Sequence, residues 1–242
     1  MDLLNRSELI HLHNIDLDAP GTPWSNCWRL LDREEKFRAD RFRSLSLKRQ
    51  WTTSRAGLRN ILASYCGCSS SKIEFTTGEF GKPELSGEIK QTGIRFNISH
   101  SGHMAVVAVA HEIDIGIDIE YKKRIDDWSS VAERFFSPRE NIQIRRLNQS
   151  RRIDAFYDCW TRKEALIKAT GEGLSARLDE FEVSISSGLH IAVLADRSDE
   201  QKYIGWRLDN VNIGRDFAGA VATPVREASQ ILDHGIWRFS NA

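Results

Sequence analysis

Two carboxylates close an alternating run near the middle of the chain, Ile113-Asp-Ile-Gly-Ile-Asp-Ile-Glu120. Isoleucine holds every odd position; Asp114, Gly116, Asp118 and Glu120 hold the even ones. A period of two belongs to a β-strand, whose successive side chains point to opposite faces. Asp118 and Glu120 therefore share a face, roughly 7 Å apart along the strand. Like charges this close repel unless something positive lies near them, and a hard cation such as Mg²⁺ takes one or two carboxylates together with substrate phosphates. Taken alone, D-x-E reads equally as an edge strand with a solvated acidic face. Downstream, Trp160, Glu164 and Lys168 recur at steps of four on one helical face, where Glu164 and Lys168 also suit a plain i,i+4 ion pair. Upstream, Ser99 and His100 fall in a tight connection, Ser99-His-Ser-Gly102, between two strand-like stretches. The neighbouring Ser and His do not make a hydrolase, because the G-x-S-x-G turn is absent. Lys82 sits in the loop Thr77-Gly-Glu-Phe-Gly-Lys-Pro83, held extended by the proline that follows it.

The elements that must position these groups follow from periodicity and caps. Residues 8–17 read as a first strand. Asp32-Arg-Glu-Glu35 is a capping box that starts a helix to about Arg43, burying Phe37 and Phe42. A longer helix is expected from Ser46, with Leu47, Trp51, Ser54, Leu58, Ile61, Leu62 and Tyr65 as its buried stripe and Gly67 as its stop. Short strands are expected at Ile73–Phe75 and Arg95–Ile98. Met104–Ala110 is almost continuously apolar, which implies burial on both faces. Ser137-Pro-Arg-Glu140 opens another helix with a capping box and proline at its first position. Ile153–Thr170 is the strongest helix, stopped by Gly171 and Gly173, with Ala155, Cys159, Leu166 and Ala169 buried and Arg162 interrupting the stripe. Strands are expected at 181–185, 191–194, 203–208 and 217–222. The stretch Ala218-Gly-Ala-Val-Ala-Thr223 echoes Met104–Ala110, a weak sign of internal duplication. The tail from Pro224 to Ala242 gives no clear pattern.

Composition limits the function classes. The 242 residues are 40% hydrophobic and 28% charged, ordinary values for a globular protein of one large domain or two small ones. Lys plus Arg equals Asp plus Glu at 34 each, so no global field for nucleic acid is expected. No apolar run approaches the about 20 residues that span a bilayer, and the N-terminus lacks the apolar core of a signal peptide. Cys27, Cys66, Cys68 and Cys159 show no paired zinc spacing and read as reduced thiols of a cytoplasmic protein. Charge is uneven locally. Residues 29–59 hold ten basic residues against four acidic, and 121–152 hold nine against four. The second segment reads either as a solvated helical connection or as a docking surface for an acidic partner.

Four stretches in order, Gly81-Lys-Pro83 with Phe96-Asn-Ile-Ser-His-Ser-Gly102, Gly116-Ile-Asp-Ile-Glu120, Arg134-Phe-Phe-Ser137 with Glu140, and Trp160-Thr-Arg-Lys-Glu-Ala-Leu-Ile-Lys168, resemble the 4′-phosphopantetheinyl transferases of the longer, single-chain surfactin-synthetase-activator type. The resemblance is strongest from Lys82 to Gly173. It implies an α+β fold of two similar halves, a pseudo-dimer, with the active site at their junction: residues 1–112, then 113–223, then a tail 224–242. It implies an Mg²⁺-dependent transferase that moves phosphopantetheine from coenzyme A to a serine of an apo-acyl or peptidyl carrier protein and releases adenosine 3′,5′-bisphosphate. Asp118, Glu120 and Glu164 are then the metal ligands, with Glu164 also a candidate base for the carrier serine, directly or through water. Lys168 would stabilise the leaving phosphate. Ser99, His100, Lys82 and Arg55 would contact coenzyme A, with Arg38 and Arg49 as further candidates; Glu35 stands where relatives carry a lysine. The carrier would dock near 121–152 on a monomeric enzyme without nucleic-acid or membrane partners. A non-catalytic coenzyme A-binding module and a metal-dependent nuclease are the competing readings.

Overall fold

The computed structural model describes residues 9–78, 81–173, 176–185, 191–197, 201–225 and 230–238. Its elements in chain order are β1 (Leu9–Asp16), α1 (Trp24–Leu30), α2 (Arg33–Asp40), α3 (Leu45–Cys66), β2 (Phe75–Thr77), β3 (Pro83–Leu85), β4 (Ile94–Ser101), β5 (Met104–His111), β6 (Gly116–Tyr121), α4 (Trp128–Phe135), α5 (Pro138–Arg146), α6 (Gln149–Thr170), β7 (Phe181–Val183), β8 (Ile191–Asp196), β9 (Trp206–Asn210), β10 (Phe217–Pro224) and β11 (Gln230–Trp237).

Each long apolar stripe becomes a 22-residue helix laid on a sheet. α3 ends at Gly67, whose left-handed φ of 63° suits a residue without Cβ. Its Leu58, Ile61 and Leu62 pack on Ala105, Val107 and Val109 of β5, in a sheet ordered β11-β1-β5-β4. α6 ends at Gly171, and its Ala155, Cys159 and Leu166 join Ala218, Ala220 and Ala222 of β10, in a sheet ordered β6-β10-β9-β8-β7. The other faces of the two sheets meet each other. Val106, Ala108 and Ala110 of β5 share one core with Ile117 and Ile119 of β6 and Val221 of β10. This double burial explains the unbroken apolar composition of β5, and the same helix–strand–interface order in both halves explains the echo in β10. The architecture is the expected α+β pair of similar halves.

Several local expectations are corrected. α1 was not expected. Phe37 is 70% exposed rather than buried, because α2 turns Glu35 and Ala39 inward and Phe37 lies on the outer side. Leu47 is 53% exposed, because α3 starts earlier, with Ser44 rather than Ser46 at its cap, and at about 33 Å it outruns the sheet beneath it. The strand near Ile73 begins at Phe75 and pairs with β3. β6 begins at Gly116 rather than Ile113, although all four isoleucines are buried as the alternation requires. Ser99 and His100 belong to β4, not to a turn; the turn is Gly102-His103, with Gly102 at φ 58°. α6 starts at Gln149, and Arg162, which breaks its apolar stripe, is fully buried and donates to Ser184 O and to Asn210 Oδ1 at 3.0 Å. The unread tail contains β11, which returns to the first sheet and pairs in parallel with β1.

Two contacts set the junction. β4 and β6 lie edge to edge, but the amides of Ile117, Ile119 and Tyr121 donate to side chains: Asn97 Oδ1 at 2.9 Å, Ser99 Oγ at 3.2 Å and Ser101 Oγ at 2.9 Å. On its other face β6 presses against α6 at Gly116, where a Cβ would lie 2.0 Å from the Ala165 carbonyl oxygen and 2.4 Å from the Ala169 nitrogen. Both neighbours are backbone, so a side chain there forces strand and helix apart. Gly116→Ala should cost about 3 kcal/mol, the upper range for overpacking. Urea unfolding measures this; a loss below about 1 kcal/mol would show that the contact yields easily.

Candidate functional site at the junction of the halves

The spacing of two on β6 and of four on α6, with the neighbours Ser99 and His100 near the end of β4, brings the predicted residues to one place. Ser99 and His100 of β4, Asp118 and Glu120 of β6, and Glu164 and Lys168 of α6 line a cavity of about 320 Å³, closed by Ile98 and Trp160. Asp118 is 4% exposed. Its Oδ1 accepts from Ser99 Oγ at 3.0 Å and from Lys168 Nζ at 2.6 Å, and Lys168 also donates to Ser99 Oγ at 3.1 Å. Its Oδ2 is buried without a partner. Glu120 Oε2 accepts from Ser101 Oγ at 2.7 Å. The salt bridge of Lys168 therefore crosses to Asp118, not to Glu164 four residues before it.

Burial pushes the pKa of all three carboxylates upward. Burial raises the pKa of Asp118, against the pull of Lys168 and Ser99. Burial raises Glu120 as well, with Ser101 opposing and Asp118 adding to it. Glu164 is pushed up to about 7, first by burial and then by the nearby Asp118 charge. His100 is lowered by burial and by Lys168, and Arg38 also acts on it.

A second cavity of about 220 Å³ continues from Lys168 and Ile98 to Lys82, Gly171 and Gly173. Lys82 is not a free loop lysine: it donates to Ile115 O at 3.0 Å and Ala169 O at 3.4 Å, and burial lowers its pKa. Arg38 lines neither cavity but is near enough to His100 to affect it, with its guanidinium 5.6 Å from the Trp51 ring. Arg49 is exposed and Arg55 is paired with Glu35 and stacked 3.9 Å from the Phe75 ring; neither lines the pocket. Glu35 also accepts from Arg59 at 2.8 Å, so this glutamate anchors two arginines of α3. Sequence reasoning missed Asn97 and Ser101. Their signal is the alternation Asn97-x-Ser99-x-Ser101, in register with 117, 119 and 121.

Among the described residues no three His, Cys, Asp or Glu side chains are gathered into a ready ligand set. The donor chemistry nevertheless fits Mg²⁺, which uses few protein carboxylates and completes its shell with water and phosphate oxygens. The orphaned Oδ2 of Asp118, in a pocket that Glu120 and Glu164 also line, is the atom such an ion would satisfy.

Comparison with known proteins gives the same direction over both halves. The 4′-phosphopantetheinyl transferase superfamily matches residues 114–222, and the N-terminal region of a 4′-phosphopantetheinyl transferase family matches 19–112. The chain is 38% identical to the 4′-phosphopantetheinyl transferase HetI of Nostoc sp. over 74% of its own length and 76% of that protein. It is 36% identical to a putative 4′-phosphopantetheinyl transferase of Synechocystis sp. over 62% of its length and 61% of that protein. It is 34% identical to the 4′-phosphopantetheinyl transferase Sfp of Bacillus subtilis over 61% of its length and 63% of that protein. The last two matches span less than two thirds of those relatives.

The raised carboxyl pKa values have a consequence for stability. A carboxyl that holds its proton more tightly when folded contributes stability below its unfolded pKa and loses it as pH rises through the folded pKa, about 7 for Glu164. Metal-free protein should therefore lose stability between about pH 5 and about pH 7.5, and Glu164→Gln should flatten that decline. Urea unfolding at both pH values tests this; parallel declines would show that Glu164 is not held protonated by the fold.

Proposed function

The chain belongs to the 4′-phosphopantetheinyl transferases, enzymes that transfer phosphopantetheine to carrier proteins, and from that premise we propose how its junction pocket performs the transfer. The observation that supports this reading is the convergence of Ser99, His100, Asp118, Glu120, Glu164 and Lys168, drawn from both halves, on one cavity. A module that only bound coenzyme A would not need three carboxylates there, and the overall neutral chain supplies no global field for the nucleic acid a nuclease would act on. We take residue 112 as the end of the first half, where the two family matches meet.

In the proposed reaction the hydroxyl oxygen of a carrier serine attacks the pantetheine-side phosphorus of coenzyme A. A new P–O bond forms, the bond to the bridging pyrophosphate oxygen breaks, and adenosine 3′,5′-bisphosphate departs with the electron pair. Attack on a pyrophosphate depends on neutralising charge as the leaving group separates. Asp118, Glu120 and Glu164 would hold Mg²⁺, which supplies that neutralisation when bound. Lys168 supports the leaving phosphate from the α6 face. Glu164, which lines the same cavity, is placed to accept the serine proton, directly or through water. Ser99 orients Asp118, and His100 and Lys82, with Arg38 near His100, contact the phosphate and ribose end of coenzyme A along the two joined cavities.

The carrier surface is proposed at 121–152. Phe136 is core, whereas half-buried Phe135 stands edge-on to Trp160 at 5.6 Å and carries the Arg134 guanidinium at 5.1 Å. Trp160 lines the cavity, so this segment reaches the lip of the pocket. Arg145 and Arg146 are exposed on α5 beside it, Arg145 paired with Glu133; Arg139 leans instead on the buried Glu182 at 3.6 Å.

Asp118→Asn and Glu120→Gln should each lower transfer from coenzyme A to an apo-carrier protein by about two orders of magnitude or more, with the fold retained. Intact-protein mass spectrometry of the carrier and circular dichroism of the enzyme are the measurements; near-normal turnover at limiting Mg²⁺ would sink the ligand assignment. Reversing Arg145 and Arg146 to Glu should raise KM for the carrier severalfold and leave KM for coenzyme A unchanged. Added salt should weaken wild type more than this variant, because screening acts within about 8 Å at physiological ionic strength. Unchanged carrier kinetics would return the segment to a merely solvated helix.

A further inference from the structure

The two oxygens of Asp118 are treated differently. Oδ1 holds a lysine ammonium at 2.6 Å and a serine hydroxyl at 3.0 Å, while Oδ2, equally buried, accepts nothing. Lys168 has an acidic neighbour one helical turn back, Glu164, and an exit into the adjoining cavity, yet its salt bridge goes to the strand carboxylate. It thereby occupies the only well-partnered oxygen of the most buried carboxylate in the pocket, and Ser99 grips it from the other side at 3.1 Å. Lys168 thus holds one oxygen of the carboxylate whose other oxygen, Oδ2, is the atom a metal ion would satisfy.

We propose that Lys168 is an internal cation plug that couples metal entry to the arrival of the substrate diphosphate. A buried carboxylate needs a positive partner, and in the metal-free protein Lys168 supplies it. A divalent ion alone must displace an ammonium whose other acidic neighbour, Glu164, is claimed by the same ion. A diphosphate arriving with the ion gives the ammonium a new partner, so both cations end up paired. Lys168 lines both the carboxylate cavity and the adjoining one, so the exchange needs movement of one flexible side chain and no backbone rearrangement. The ordering follows from charge balance: metal binds weakly to the empty pocket and strongly to the pocket holding coenzyme A. The proposal rests on the reading of Asp118, Glu120 and Glu164 as metal ligands.

The test is calorimetric titration of Mn²⁺ alone into the metal-free full chain. Lys168→Met should bind Mn²⁺ at least about tenfold tighter than wild type, a shift of about 1.4 kcal/mol. Arg38→Met removes a nearby cation that does not touch Asp118, and should change the affinity by less than about threefold. In EDTA, Lys168→Met should melt below wild type, and Asp118→Asn in the same chain should restore the melting temperature. Lys168→Gln, which keeps a donor to Asp118 without its charge, is the second variant should Lys168→Met fold poorly, and it should show the same gain in Mn²⁺ affinity. Equal Mn²⁺ affinity in wild type and both Lys168 variants overturns the plug while leaving the ligand assignment intact. Failure of wild type and both variants to bind Mn²⁺, with coenzyme A present or absent, overturns the ligand assignment and the plug with it.

Discussion

The edge-to-edge seam between β4 and β6 is the interaction on which this protein depends. Strand edges normally pair through backbone groups, and an unpaired buried amide is costly. Here three successive outward amides of β6 are satisfied by side chains of β4, at a spacing of two on each strand. The seam joins sheets from different halves without merging them. It also turns Ser99 and Ser101 so that their hydroxyls reach Asp118 and Glu120. The bonds that hold the halves together are therefore the bonds that orient the carboxylates.

Gly116 sets the other wall. Its missing Cβ lets β6 approach the α6 backbone closely, and that approach brings Glu164 and Lys168 over the strand face carrying Asp118 and Glu120. Three carboxylates in a small half-buried cavity repel each other, and burial raises the pKa of each. Such a cluster is unfavourable for folding by itself. The structure offsets it with Lys168 and with serine donors, and the surrounding apolar core, including the isoleucines behind β6, supplies the stability that makes it tolerable.

The first half contributes in a different way. Arg59 is buried on α3 and gathers Asp32, Glu35, Ser70 O and Ile73 O, while Arg55 takes the other oxygen of Glu35. This network fixes α2 and the chain leaving α3 against one helix face. Glu35 thus serves the fold, and its hold on Arg55 keeps that guanidinium out of the junction pocket.

How much of this was legible in the sequence follows from which contacts are local. The alternation of Ile113–Glu120 put Asp118 and Glu120 on one face, and steps of four put Trp160, Glu164 and Lys168 on another, because strand and helix geometry fix side-chain direction within one element. The capping boxes at Asp32 and Ser137 and the stops at Gly67 and Gly171 were equally local and appear as expected. Which face meets which is not a local property. Asn97 and Ser101 looked like ordinary polar strand residues until β6 lay beside them. By sequence Lys168 had one acidic partner within reach, Glu164, and only the crossing of α6 over β6 gave it to Asp118. Phe37 turned outward because buried ion pairs claimed the opposite side of its helix. The tail showed no period because β11 is only partly buried at a sheet edge, and its place is decided by the edge of β1 that β5 leaves open, more than 200 residues away in the chain.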